Sequence, residues 1–201
     1  DLSGADLCCQ SGTVGSGGQV FIQYATIEGF GRLLGGGNLK VEIYDSTLVD
    51  IENVMQQGMP IVNLNLVIER NVLNNVGEIM AYNLSNKGEG LVLQYNCFVG
   101  KPPMVTQWYS APTTNLIRFN SVYGMKNLID NGTFQNELSI RGGVTHAFDM
   151  DATQNYWDGL TEQDVEKLIL DNNDDISIDK EVKFLPMLTA PHPDTPDCSQ
   201  R

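Results

Sequence analysis

Apolar residues recur through the middle of the chain in a fixed local pattern, apolar-x-x-small/Asn-x-apolar, and not at helical spacing. The copies are Ile22-Gln23-Tyr24-Ala25-Thr26-Ile27, Ile43-Tyr44-Asp45-Ser46-Thr47-Leu48, Ile68-Glu69-Arg70-Asn71-Val72-Leu73, Leu93-Gln94-Tyr95-Asn96-Cys97-Phe98, Ile117-Arg118-Phe119-Asn120-Ser121-Val122 and Ala152-Thr153-Gln154-Asn155-Tyr156-Trp157. Their anchor position is Ala25, Ser46, Asn71, Asn96, Asn120 and Asn155, with spacings of 21, 25, 25, 24 and 35 residues. A further apolar residue sits five past the anchor at Phe30, Ile51, Val76 and Met125. Short alternating stretches such as Val41-Glu42-Ile43 lie between the anchors, and Gly punctuates nearly every unit. That combination predicts β-strands and argues against an α-solenoid of similar period. A unit with one or two apolar residues per strand cannot bury them alone. Stacking units in parallel, about 4.8 Å apart, builds a continuous apolar column, so the period predicts a β-solenoid. Asn71, Asn96, Asn120 and Asn155 are expected to form a ladder of side-chain amides at one turn.

The character changes after Asn155. Thr161-Glu162-Gln163-Asp164 has the form of a capping box, and Val165, Leu168 and Ile169 follow at helical spacing. A helix over 161–170 is expected to fold over the last coil, with 171–186 returning along the solenoid. The Pro-rich tail Pro191–Asp197 is expected to be extended, with Cys198 pinning it. Three regions follow: an N-terminal extension or cap over 1–19, coils over 20–159, and a capping helix with extended tail over 160–201. An open solenoid end recruits other strands. The Gly/Ser-rich stretch to Gly18 carries no capping helix, so either the Cys8–Cys9 region staples that end or it meets another molecule.

The pattern ending in Asn155-Tyr156-Trp157-Asp158-Gly159, then a short helix, then Leu170-Asp171-Asn172-Asn173-Asp174-Asp175 and Val182-Lys183-Phe184-Leu185-Pro186, resembles the right-handed parallel β-helix repeat proteins of the pectin-lyase-like group. The resemblance extends over approximately 20–190, and Asp158 stands where members commonly carry Gly. It implies an all-β, right-handed parallel β-helix of about six coils with a short C-terminal capping helix, and relatives that act on polysaccharides.

Composition narrows the partners. The chain has 201 residues, with 12 Lys+Arg against 25 Asp+Glu and a formal charge of −13, which argues against sequence-independent binding of nucleic acid. No apolar run approaches the roughly 18–20 residues of a spanning helix. Gly (20) and Asn (18) are turn residues, as a frequently turning chain requires. The start at Asp1-Leu2-Ser3 suggests a processed form or an excised piece. Cys8, Cys9, Cys97 and Cys198 fit neither a zinc pattern nor a redox CxxC, and His is limited to His146 and His192. Two disulfides in an oxidising, extracellular or cell-surface setting are expected. Adjacent Cys8 and Cys9 do not readily bond each other, so each is expected to pair with Cys97 or Cys198, in either order. The sequons at Asn83 and Asn131 are compatible with glycosylation.

The catalytic motifs of polygalacturonase-type hydrolases, which the resemblance brings to mind, do not occur in the sequence. A lyase needs calcium-binding acids and a basic residue; Arg70 and Arg118 lie beside the turn without a basic cluster, and the acidic charge opposes a polyanion-binding groove. The best catalytic cluster is His146, Asp149 and Asp151, with the two acids roughly 7 Å apart on one strand face, compatible with inverting hydrolysis. These acids match no motif, and solvated outer-face acids are the preferred reading. Asp171, Asn173 and Asp175 mimic the opening of a calcium loop but lack the Gly and Glu of an EF-hand, so a turn is preferred and calcium is the one candidate cofactor. Tyr24, Tyr95 and Phe119 share a column, Tyr44 lies in the next, and Trp108 and Tyr109 fall in an insertion; together they suggest a sugar-stacking stripe, or aromatic pairing between strands. The expected function is a non-catalytic extracellular structural or adhesive module that binds polysaccharide or its own kind end to end. The alternative is a small polysaccharide lyase or glycoside hydrolase.

Overall fold

The computed structural model describes residues 18–34, 39–55, 64–82, 90–100, 104–108, 116–124, 150–169, 171–174, 176 and 181–198. These fold into parallel β-structure with one short helix, and the strands β1–β15 are numbered in chain order. The first sheet runs in the order β1 (Gly18–Gln23), β4 (Leu39–Tyr44), β6 (Leu64–Glu69), β8 (Gly90–Gln94), β11 (Leu116–Arg118), β13 (Met150–Asp151) and β15 (Val182–Lys183). The second runs from β14 (Tyr156–Trp157) through β12 (Ser121–Val122), β9 (Cys97–Val99), β7 (Val72–Tyr82) and β5 (Thr47–Met55) to β2 (Thr26–Glu28). β3 (Arg32–Leu34) pairs with β5, and β10 (Met104–Trp108) with β7. Neighbours in each sheet are parallel, and the chain alternates between the sheets.

Alternation along each strand decides which face is buried. Val41 and Ile43, Leu66 and Ile68, and Leu91 and Leu93 point inward from the first sheet. They meet Leu48, Leu73, Phe98, Val122 and Trp157 from the second. Ile51 and Val76, five past their anchors, join the same core, with Leu33, Val54 and Ile79 behind them. Burying a side chain of this size contributes about 1.5–3 kcal/mol, so the column is the main favourable term.

The corner between the sheets repeats in detail. The residue before each anchor is left-handed: Tyr24, Asp45, Arg70, Tyr95, Phe119 and Gln154 have φ between 47° and 59°. Four residues past each anchor lies a second left-handed column of Gly29, Asp50, Asn75, Gly100, Gly124 and Gly159. A Cβ at Gly100 would stand 2.2 Å from Asn75 Oδ1, so glycine here both eases the left-handed backbone and spares the Asn75 side chain a displacement. The anchors from Ser46 onward are buried, and Ala25, in the first unit, is half-buried. The Asn71 amide N–H and Nδ2 donate to Asn96 Oδ1 (3.0 and 3.1 Å). Asn96 repeats this onto Asn120, and Asn120 onto Asn155. Each Nδ2 also donates to a backbone carbonyl of the preceding unit, at Ile43, Ile68, Leu93 and Ile117. Ser46 N–H donates to Asn71 Oδ1, and Ala25 N–H to Ser46 Oγ, which starts the column.

The C-terminal region departs from expectation in two ways. Among the described residues the first sheet has seven strands, one more than the about six coils expected, because β15 adds to β13. Leu188 bridges Tyr156, which sets Met187 opposite Asn155, where the amide column ends. The helix, α1, is limited to Glu162–Glu166 instead of 161–170. Thr161 and Asp164 form the expected reciprocal capping box. Beyond the cap at Lys167, the Leu168 and Ile169 N–H groups bond three residues back, to Val165 and Glu166, and both side chains stay buried in a tighter turn. No helix among the described residues is long and apolar enough to cross a membrane.

Asn96→Ala would strip partners from the Asn71 amide group, the Asn71 backbone N–H and the Ile68 carbonyl, each buried group costing about 1–3 kcal/mol. Denaturant unfolding should show a loss of roughly 3 kcal/mol or more. Gln23→Ala, which removes an exposed bond to Asp45 at a position of ordinary backbone conformation, should lose under about 1 kcal/mol.

Candidate functional site

The outward side chains of the first sheet form two aligned rows. One contains Phe21, Glu42, Val67, Val92, Leu116, Asp151 and Lys183, the other Gln23, Tyr44, Glu69, Gln94 and Arg118. Their N-terminal ends hold the most exposed aromatic side chains described, Phe21 at 58% and Tyr24 at 79%. The Phe21 and Tyr44 rings lie 5.8 Å apart, and the Arg70 guanidinium sits 5.6 Å from the Tyr44 ring centre.

Polar groups frame these rings. Arg70 donates through Nε and Nη2 to the two carboxylate oxygens of Asp45 (2.7 and 3.2 Å) and through Nη1 to Glu69 (3.4 Å). Gln23 donates to Asp45 Oδ2. Glu42 accepts from Gln19 and the Tyr44 hydroxyl and pairs with Lys40 at 3.1 Å. The Arg70 hydrogen bonds, with that of Gln23, hold the Asp45 carboxyl below its ordinary value, and Lys40 does the same chiefly for Glu42. Burial and the Glu42 charge push the Tyr44 hydroxyl up. At neutral pH this surface therefore carries the ionised Asp45 and Glu42 carboxylates, the neutral Tyr44 hydroxyl and the Arg70 guanidinium.

The other expected site residues are distributed differently. Tyr24, Tyr95 and Phe119 do occupy the same corner position, but Asp45 and Arg70 intervene, so Tyr24 stands three units, about 14 Å, from Tyr95. Tyr95 and Phe119 stack on each other at 5.1 Å and 8°. His192 rests on both, at 5.0 and 4.9 Å, so the chain's own tail covers this pair. Trp108 ends β10 on the second sheet, away from the first-sheet rows. Tyr109, His146, Asp149, Asp175, Asn83, Asn131, Cys8 and Cys9 lie outside the described residues.

Asp151 pairs with Arg118 Nη2 and accepts from the Thr153 hydroxyl (2.7 Å) and amide (3.1 Å). Partial burial pushes its carboxyl up, but the hydrogen bonds from Arg118 and Thr153 outweigh this and hold it below the ordinary value. Asp171 is buried and spends its two oxygens on the Asn173 and Val182 amides, the latter tying the turn to β15. Among the described residues no group of three or more His, Cys, Asp or Glu side chains could hold a metal ion.

One expectation is corrected. Cys97 and Cys198 bond each other, with Cα atoms 6.2 Å apart, instead of each pairing with Cys8 or Cys9. The cause is the path of the tail. Gln154 N–H donates to the Pro186 carbonyl and Leu188 N–H to Asn155; Thr195 Oγ1 then donates to the Phe119 carbonyl, and Cys198 reaches Cys97 one unit further back. The tail thus crosses three units outside the corner as a strap. From Thr189 to Asp197 most of its residues are exposed. The His192 ring contacts and the Thr195 bond contribute about 2–4 kcal/mol, whereas ordering the non-proline residues costs about 6–12 kcal/mol. Closing a loop with sequence separation 101 supplies about 4–5 kcal/mol in the chain-entropy model, so the covalent bond holds the strap.

Comparison with protein family models, characterised proteins and solved structures finds no match to this chain.

Two outcomes test this geometry. Peptide mapping under non-reducing conditions should recover Cys97 joined to Cys198, and Cys198→Ser should lower stability by about 4 kcal/mol. Because the folded Asp151 carboxyl lies below its unfolded value, its contribution is complete above the ordinary carboxylate range and is lost as pH falls through the lower folded value. Asp151→Asn should therefore lower stability by about 1 kcal/mol at pH 7 and leave it unchanged near pH 2, as followed by denaturant titration.

Proposed function

We propose that this chain is an extracellular, non-catalytic, right-handed parallel β-helix of pectin-lyase-like type, serving as a structural or adhesive module that binds neutral glycan. The observation that carries this reading is the pair of exposed rings Phe21 and Tyr24 with the half-buried Tyr44 on the outer face of a regular sheet, framed by Gln19, Gln23, Glu42, Asp45 and Arg70. Aromatic rings accept the C–H faces of a pyranose, while adjacent carboxylates, amides and a guanidinium bond its hydroxyls. The framing groups are tied to one another, so they are ordered before a ligand arrives and little entropy is lost on binding.

Charge selects among glycans. With a net charge of −13 and acids around the rings, polyuronate is repelled and an uncharged polymer is not. The acids beside the rings do not suit catalysis: a glycosidase general acid needs a raised pKa, and Asp45 and Glu42 are both held down. The Cys97–Cys198 bond supports an oxidising compartment, and parallel sheets with a 21–25-residue repeat support the β-helix.

Calorimetry against a panel of neutral and uronate-containing polysaccharides tests the reading. Neutral polymer should bind, and Tyr44→Ala with Tyr24→Asn (Asn tolerating the left-handed backbone at 24) should weaken binding by about tenfold or more. Release of reducing ends or of unsaturated products from any of these polymers would overturn it.

A further inference from the structure

The two edges of the first sheet are built differently. β15, at one edge, is two residues long and carries Lys183, which are the usual protections against further pairing. β1, at the other, spans six residues, Gly18–Gln23, with no charge and no proline, and pairs with β4 without a bulge across its whole length. Among the described residues no strand lies on its outer side. The core beside it is also incomplete. Val20, Ile22, Ile27 and Phe30 are only half-buried, whereas the equivalent Val41, Ile43, Leu48 and Ile51 one unit further are fully buried. A long, flat, uncharged edge with a half-open core beneath it is a surface for one more strand.

We propose that this edge pairs with β1 of a second copy of the chain, antiparallel, to form a two-fold dimer. The strand is self-complementary in that direction. With Phe21 opposite Phe21 of the second copy, Gln19 faces Gln23 and Val20 faces Ile22. Residues directly opposite each other share a face, so apolar positions meet inside and amides meet outside. Head-to-tail growth has no equivalent fit, because it would set the six-residue β1 against the two-residue, lysine-bearing β15. An isologous pair uses up both open edges and closes, giving a dimer and not a filament. The pairing stands independently of glycan binding, although it would place two aromatic groups on one continuous sheet.

Sedimentation velocity of the intact, oxidised chain over roughly 1–100 µM tests this, since a small interface dissociates at the lower end of that range. A species of twice the 22.1 kDa chain mass is expected. Phe21→Lys and Phe21→Glu should each weaken dimerisation tenfold or more by placing like charges opposite one another, and mixing the two variants should restore it. Phe21 is mostly exposed, and retention of the Cys97–Cys198 bond and the wild-type circular dichroism spectrum checks that both variants fold. Independently of any variant, amide hydrogen exchange over 18–23 in the wild type should slow as concentration rises. A wild-type monomer with concentration-independent exchange, whose edge is then filled by the chain itself or by water, would overturn the proposal. So would assemblies that keep growing past two copies, or variants that mixing does not rescue.

Discussion

Each unit of this protein depends on a left-handed residue followed by a buried anchor. Six non-glycine residues with positive φ are each unfavourable by about 1–2 kcal/mol, and Tyr, Phe and Arg have no side-chain device of the Asn kind to ease the conformation. They persist because the turn delivers the next side chain to the interior. There the Asn amide bonds the unit ahead and the backbone carbonyl behind. The exchange is favourable only when repeated. An Asn whose oxygen lacked two donors from the previous unit would be a buried unsatisfied group, so the column favours full stacking over isolated units.

The same corner determines the surface. A left-handed residue turns its side chain outward, so position 24, 45, 70, 95, 119 or 154 can carry almost any chemistry without disturbing the core. The chain uses that freedom in three ways. Tyr24 is exposed, Asp45 and Arg70 bind each other across adjacent units, and Tyr95 with Phe119 forms the seat for His192. Exposure to solvent, ion pairing and tail docking are thus alternative uses of one structural position, and the disulfide-held strap finds its seat where two successive corners present aromatic rings.

Strand type, parallel stacking and the capping box were legible in the sequence because each rests on local alternation or on a short motif. Phe30, Ile51 and Val76, found by their offset from the anchors, point to the bend that splits each unit. The left-handed column before the anchor was not legible, since Tyr, Asp, Arg, Tyr, Phe and Gln share no chemistry; only their common hydrogen-bonded successor imposes the backbone. The second column could have been found, because Gly29, Asp50, Asn75, Gly100, Gly124 and Gly159 keep the anchor spacing and all favour positive φ. The seventh strand of the first sheet was hidden for a related reason: Met187 stands where the repeat would carry Asn, so the pattern ends one unit before the sheet does. The disulfide pairing was not legible because excluding a bond between adjacent Cys8 and Cys9 does not assign them to Cys97 and Cys198; the path of the tail decides the partner. At the aromatic site, the column was visible, but its division by Asp45 and Arg70 and its cover by His192 depend on contacts between distant segments.

The position of the disulfide follows from the strap. Cys97 is the outward residue just past an anchor, in register with Val72 on one side and Ser121 on the other, and with Val99 and Tyr123 it makes a small apolar patch outside the second sheet. Cys198 enters that patch and is buried there. The bond therefore does two things at once. It removes denatured-state freedom from a segment spanning the last two anchors, Asn120 and Asn155, and it covers an apolar patch that the parallel stack leaves on its outside. A bond from Cys198 to Cys8 or Cys9 would constrain more residues but would take Cys198 off Val72, Val99 and Tyr123 and leave the strap loose over Tyr95 and Phe119. Loop entropy grows only with the logarithm of length, so that longer loop would gain little, and burial of the patch decides the pairing.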